Sequence, residues 1–405
     1  MLEIETWILA AGVLLLLGVL ASKLSDWLGV PALLLFLAVG MLAGSEGLGG
    51  IAFDSAEIAQ AVGTVALVVI LYSGGLDTNW SAVRPVLVPG LLLSTVGVCV
   101  TTLMLGGFAW FMLGEFSSFN IGTAGLTWLE ALLLAAIVSS TDAAAVFSVF
   151  RTSPVQPLKR IRYLLEFESG SNDPMAVLLT TVILGLMTQP STSAGQVLTT
   201  LILQFAAGGI AGCAIGFAGA WVVNRIGLAA TGLLPVLVLA FGLLTFGIAD
   251  AIGGNGFLAV YAAGLVIGNR LKVGREVVGP FHDGLSWLMQ IAMFIVLGLL
   301  VFPSGLLPVA GVAIAMALFL MFVARPVSVF LCLLPFGKPS NEIGYVSWVG
   351  LRGSVPIVLA TFPASYGIAG ADAVFNVVFF IVLTSVLLQG LTLVPSTRWF
   401  RVTQD

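Results

Sequence analysis

Apolar residues fill this chain in long blocks separated by short polar or glycine-rich stretches. Thirteen blocks can be marked, at 6–22, 30–44, 58–76, 86–113, 128–150, 164–188, 195–223, 230–249, 255–269, 283–302, 308–334, 343–362 and 373–394. A helix needs roughly 20 mostly apolar residues to cross a bilayer. The pattern therefore predicts an all-α polytopic membrane protein with about 13 transmembrane helices. Blocks 30–44 and 255–269 are short for a crossing, and blocks 86–113 and 195–223 are long enough to tilt. A β-barrel would alternate apolar and polar residues at period two, and these blocks do not.

Two blocks are interrupted near their middles. The fifth carries Ser139-Ser140-Thr141-Asp142, and the twelfth carries the glycine- and proline-containing run Gly350–Pro356. They lie seven crossings apart and so traverse the membrane in opposite directions. Interrupted helices at matching places in two halves predict inverted repeats, with two discontinuous crossing helices around a transport site.

Composition agrees. Only 8% of the 405 residues are charged, against about 25% in soluble domains. Hydrophobic residues reach 59%, with a mean hydropathy of +1.14. This excludes an ordinary soluble enzyme, a disordered chain and a single anchor on a soluble domain. The formal net charge of -4 leaves no basic surplus for nucleic acid. Cys99, Cys213 and Cys332 lie in apolar runs without paired spacing and read as small core residues. No basic region precedes the first block, so a cleaved signal peptide is not expected. The sequence reads as one transmembrane domain over 1–405, with no soluble regulatory domain.

Charge also orients the chain. Lys23, Arg84, Arg151, Lys159, Arg160, Arg162, Arg225, Arg270, Lys272, Arg275, Lys338, Arg398 and Arg401 all fall in one alternating set of loops. The positive-inside rule makes that side cytoplasmic, with the N-terminus outside and the C-terminus inside. Trp7, Trp27, Trp80, Trp128, Trp287 and Trp399 lie near block ends and read as interfacial anchors.

Five charges remain at membrane depth: Asp142, Glu168, Asp173, Arg325 and Arg352. Each costs about 3 kcal/mol or more there without a partner or a function. Counted from Tyr163, Asp173 is roughly 15 Å along its helix, near the midplane. Pro174 follows it and removes a backbone donor. Thr141, Ser169 and Asn172 add neutral oxygens beside the two aspartates, and hard monovalent cations favour such oxygen cages. Proton and cation would then compete for one carboxylate. Glu168 and Arg352 are expected to pair and to hold the sixth and twelfth blocks together. Arg325 either binds backbone carbonyls or tunes the site. His282 reads as a satisfied interfacial histidine, and Glu130, Glu166 and Asp283 as solvated residues near helix ends.

The stretches SSTDAAAVFSVFR and ESGSNDP resemble NhaP-type monovalent cation/proton antiporters. LFLAVGMLAGSEG, LYSGGLDT, GFLAVYAAGLVIGN, FHDGLSWLMQIAMF and GLRGSVPIVLA look like the potassium/proton branch of that family. The likeness covers essentially the whole chain. It implies that Asp173 binds cation or proton, that Asp142 assists, and that Thr141, Ser169 and Asn172 are further ligands, placing the monovalent cation at Asp142 and Asp173. It implies a Glu168–Arg352 pair. Asn172 in place of a second acid implies electroneutral exchange of K+ or Na+ for H+. The family fold implies a core (about 86–188 and 308–394) moving like an elevator against a dimerisation scaffold (about 1–85 and 195–302). A homodimer in a bacterial inner membrane is also implied, with no cofactor beyond the transported ions. The sequence departs from the family at Tyr72, where many relatives carry Phe, and in having no acid inside the third block. The potassium branch usually carries a cytoplasmic regulatory region, which this sequence does not show.

Two other classes are weaker. A channel wants a continuous polar pore, whereas these polar residues cluster at one depth. An intramembrane protease reading lacks Gly-x-Gly-Asp, a Ser–His pair and HExxH, and His282 is the only histidine.

Overall fold

The computed structural model describes residues 4–28, 30–114, 125–150, 153, 155–188 and 193–404, and among them the chain is helical, without strands. Arg151 lies outside the described residues. All thirteen apolar blocks are occupied by helix. Among the described residues, nine helices are long and apolar enough to cross a membrane, and four apolar helices are shorter.

One group consists of seven continuous helices: α1 Ile4–Leu28, α2 Ala32–Ala43, α3 Ala56–Asp77, α8 Ala194–Val223, α9 Leu233–Ala251, α10 Gly256–Arg270 and α11 Arg275–Leu299. They pack chiefly on one another, with α3, α8 and α9 on α10 and α2 on α11. Glycines bring their backbones into contact. A Cβ on Gly264 would lie 2.4 Å from the Tyr72 carbonyl, and one on Gly40 would lie 2.3 Å from the Ile295 carbonyl. Such approach is how apolar helices associate in lipid, where no hydrophobic force drives them together.

The other helices form two similar series, each made of an irregular helix, a broken helix and a long uninterrupted one. α4 (Trp80–Leu113) and α12 (Pro303–Phe336) are each 34 residues long. Each begins with a short turn, tightens to 3-10 geometry, and widens to a π segment, at Leu93–Gly97 and Leu320–Ala324. A broken helix follows each one. In the first, α5 (Trp128–Ile137) and α6 (Ala143–Phe150) flank an extended break. In the second, α13 (Ser340–Trp348) and α14 (Ser354–Ser365) do the same. A long helix closes each series, α7 (Lys159–Thr188) and α15 (Ala371–Trp399). The repeat expected from the interrupted blocks thus extends over three consecutive blocks in each half. Glu130 is a cap rather than a free surface acid: it and Thr127 bond each other's backbone amides and start α5.

Loops that the alternation of crossings puts on one side meet each other. Arg160 pairs with Glu342, the Lys272 amide donates to Asn224, and the Gln404 amide donates to Gln156. On the other side, Ser304 donates to Glu46. Trp7, Trp27, Trp80, Trp128 and Trp399 are exposed. His282 is buried rather than interfacial, and its Nδ1 bonds the Val278 carbonyl.

Candidate functional site

The two breaks meet. The Asp142 amide donates to the Leu351 carbonyl at 2.8 Å, so one extended segment lies directly on the other. Broken helices expose backbone amides at their starts and carbonyls at their ends, and in a membrane these need partners. Two charges supply them. The Asp142 carboxylate accepts from the Ala145 amide at 2.9 Å, and also from the Ala144 and Ser354 amides, so it satisfies the starts of both α6 and α14. Arg352 is buried, and its Nη1 donates to the Ser139 and Ser140 carbonyls at 2.5 and 2.7 Å, just beyond the end of α5. Negative charge thus meets helix starts, and positive charge meets a helix end.

Gly353 makes room for this arrangement. A Cβ there would stand 1.8 Å from Asp142 Oδ2. A glycine between Arg352 and Ser354 reads in the sequence only as part of the interruption.

The expected Glu168–Arg352 pair does not form. Glu168 is held instead by Arg325, through Nη1–Oε1 at 2.5 Å and Nη2–Oε2 at 3.0 Å, both side chains buried. The physical reason is that the open end of α5 takes up Arg352. Arg325 and Arg352 each lie about nine residues from the end of their block that faces the basic loops, so position along the block alone did not separate them. Arg325 also approaches the Val346 carbonyl at 3.4 Å. The clamp therefore joins α7 to α12, not α7 to the second break.

Thr141, Ser169 and Asn172 are brought together at the first break. Asn172 spans the Thr141 backbone and side chain: its Oδ1 accepts from the Thr141 amide at 3.3 Å, and its Nδ2 donates to Thr141 Oγ1 at 2.7 Å. Ser169 Oγ donates to the Thr141 carbonyl at 2.8 Å and accepts from the Ala143 amide at 2.9 Å. α7 therefore holds the break open from one side.

Asp173 lies on the same helix, electrostatically coupled to Asp142. As whole residues Asp142 and Asp173 are half-buried, whereas Thr141, Ser169 and Asn172 are buried. On α7 the exposed Arg162 and the partly exposed Tyr163, Glu166, Gly170 and Asp173 fall at helical spacing, a strip leading from the basic end of the helix to Asp173. The Tyr261 ring of α10 covers that strip at Gly170, where a Cβ would lie 2.5 Å from it. Neither Tyr261 nor Gly353 was singled out from the sequence. Among the described residues, no group of three His, Cys, Asp or Glu side chains could hold a metal ion.

Comparison with known proteins bears on the family and the fold. The family described as "Sodium/hydrogen exchanger, transmembrane" matches residues 12–399. The K(+)/H(+) antiporter NhaP of Alkalimonas amylolytica is 41% identical over 400 residues, covering 98% of this chain and 67% of that one. The K(+)/H(+) antiporter NhaP2 of Shewanella oneidensis is 41% identical over 403 residues, covering 99% and 68%. The solved structure of the sodium proton antiporter MjNhaP1 from Methanocaldococcus jannaschii at pH 8 superposes with a TM-score of 0.79, at 25% identity over 99% of this chain and 98% of that one. The likeness first seen in the aspartate motifs thus extends through sequence and fold, and the chain belongs to the transmembrane sodium/hydrogen exchanger family.

Proposed function

We propose that the protein is a secondary antiporter exchanging a monovalent cation for H+, with K+ as its principal cation. One observation carries the reading: two broken helices meet at their breaks, and two aspartates, Asp142 and Asp173, lie together at the contact. Asp173 takes either a cation or a proton. Asp142 assists and is itself fixed by helix-start amides. With one carboxylate serving both ions, exchange is electroneutral and competitive.

The two helix groups suit a division of labour. The irregular helices form a transport core that moves as a unit. The continuous ones form a scaffold and the contact of a homodimer, with the protein in a bacterial inner membrane and its basic loops in the cytoplasm. The K+ preference follows the names of the two relatives that are 41% identical. A Na+-selective exchanger is the second reading, favoured by the fold shared with the sodium proton antiporter.

Proteoliposomes holding a pH-sensitive dye test this. A K+ or Na+ pulse should move protons, with an apparent cation affinity that weakens as pH falls. Asp173→Asn should fold and lose exchange. A flat dye signal for the unaltered protein with both cations overturns the reading, and exchange persisting in Asp173→Asn moves the carrier role to Asp142.

A further inference from the structure

Asn255 is mounted firmly in the continuous group. Gly253, at φ +73°, helps turn the chain from α9 into α10. The Asn255 amide then donates to the Gln204 carbonyl of α8 at 2.9 Å. A Cβ on Gly208 would stand 2.5 Å from the Asn255 carbonyl, so α8 and the start of α10 touch backbone to backbone. The Asn255 side chain caps α10, its Oδ1 accepting from the Leu258 amide at 2.9 Å. That bond fixes the orientation of the side-chain amide. Its Nδ2 points out of the group and donates to the Pro174 carbonyl of α7 at 2.8 Å, with both residues buried. Further along α10, the Tyr261 ring rests on Gly170. The two contacts meet α7 about 6 Å apart along its axis, on either side of Asp173 in the sequence. Other polar contacts between the groups differ. Glu46 with Ser304, and Asn269 Oδ1 with the Trp80 amide at 2.9 Å, are exposed.

Resting on the exchange reading above, in which the helices around the breaks move past the continuous group, we infer that Asn255 is a positioning residue: its hydrogen bond to Pro174 latches α7, one residue from Asp173, and sets how fast the site leaves the state described here. A moving α7 must break any bond that the continuous group makes to it. Water replaces the partners of an exposed pair when it parts. A buried donor finds no such replacement, and leaving it unsatisfied carries its full desolvation penalty. The Tyr261 contact is packing against a residue with no side chain, so it can slide. Asn255 cannot follow α7, because its backbone is tied to α8 and its Oδ1 to the start of α10. An interaction made in the resting state and lost at the barrier slows the step, the converse of binding the transition state. The bond thus holds Asp173 in register with the continuous group while the site loads, and slows turnover.

The test separates the cap from the latch. Serine caps a helix as well as asparagine does, but its hydroxyl ends one atom sooner than the amide nitrogen and does not reach Pro174. Asn255→Ser should raise the maximal exchange rate per folded molecule in proteoliposomes about threefold to tenfold, the worth of one neutral hydrogen bond. Asn255→Ala loses both cap and latch, so it should gain rate alike while its Tm falls below that of Asn255→Ser. Asn255→Thr, a weaker cap of the same reach, takes the place of the serine variant if that does not fold. Asn269→Ser cuts an exposed contact between the groups and should leave the rate unchanged. A purely structural role for Asn255 predicts instead that rate falls together with Tm. If Asn255→Ser exchanges at the unaltered rate or more slowly, the inference is overturned while the antiporter reading stands. If the unaltered protein exchanges neither K+ nor Na+, the antiporter reading itself fails.

Discussion

In the continuous helices, α3 and α10 approach until a Cβ on Gly268 would stand 2.1 Å from the Leu76 carbonyl. In the broken helices, a buried arginine caps one end, a carboxylate caps two starts, and Arg325 grips Glu168 across to the neighbouring helix. The first group satisfies its backbone within each helix and needs only small residues at the crossings. The second leaves backbone groups open at membrane depth and closes them with charge. Once charges are fixed there by the fold, one further carboxylate can take a mobile ion without reorganising the rest. Chemistry therefore concentrates where the backbone does not satisfy itself, and the continuous group supplies a wall against which it acts.

The largest expected effect tests how the broken group is held. Arg325→Met leaves Glu168 buried and unpaired, which typically costs about 3–5 kcal/mol. The double variant Glu168→Gln with Arg325→Met removes both charges and should recover much of that loss. Thermal unfolding of the purified protein reads both. A single variant as stable as the unaltered protein would show that Glu168 has another partner, and that the clamp across α7 and α12 does not carry this group.

A pair of glycine substitutions separates the two groups more sharply. Gly268→Ala overpacks α3 against α10 and should cost about 1–3 kcal/mol, while exchange per folded molecule is retained. Gly353→Ala drives a methyl into Asp142 Oδ2, and the strain should again be about 1–3 kcal/mol. Here exchange should fall by more than tenfold (roughly 1.4 kcal/mol), because Asp142 must leave the amides that fix it. Equal loss of exchange per folded molecule in both variants would erase the proposed division between wall and site.

The sequence made the helices legible because each must bury its own backbone in lipid. Thirteen apolar blocks and two interruptions carried over into helices and breaks almost directly. Distance along a helix was legible as well, since 1.5 Å per residue puts Asp173 roughly 15 Å from Tyr163. Azimuth was not. Arg325 and Arg352 hold similar positions along their blocks, and only the open carbonyls after α5 decide which of them Glu168 receives. Gly353 was hidden for the same reason. Its importance lies in what stands across from it, a carboxylate oxygen of Asp142, and that neighbour comes from another part of the chain.

The smallest effect concerns a polar contact joining the two groups at the rim away from the basic loops. Glu46, in the loop after α2, accepts from the Ser304 hydroxyl and from the Ser304 amide at the start of α12. These bonds, the hydroxyl first, hold the Glu46 carboxyl below its ordinary value. A depressed folded-state value means stabilisation that is present at neutral pH and is lost as pH falls through the carboxylate range. The group is exposed, so salt screens the effect and the contribution is minor. Glu46→Gln keeps an acceptor but removes the charge, which isolates the ionic part. The difference in Tm between the unaltered protein and Glu46→Gln should favour the former at neutral pH and shrink toward zero on acidification, and should be smaller in high salt. Other carboxylates titrate alike in both proteins and cancel from the difference. A difference that stays constant down to acid pH would mean that the contact joins wall and site by shape alone, and that bulk pH does not reach the boundary between the two groups through Glu46.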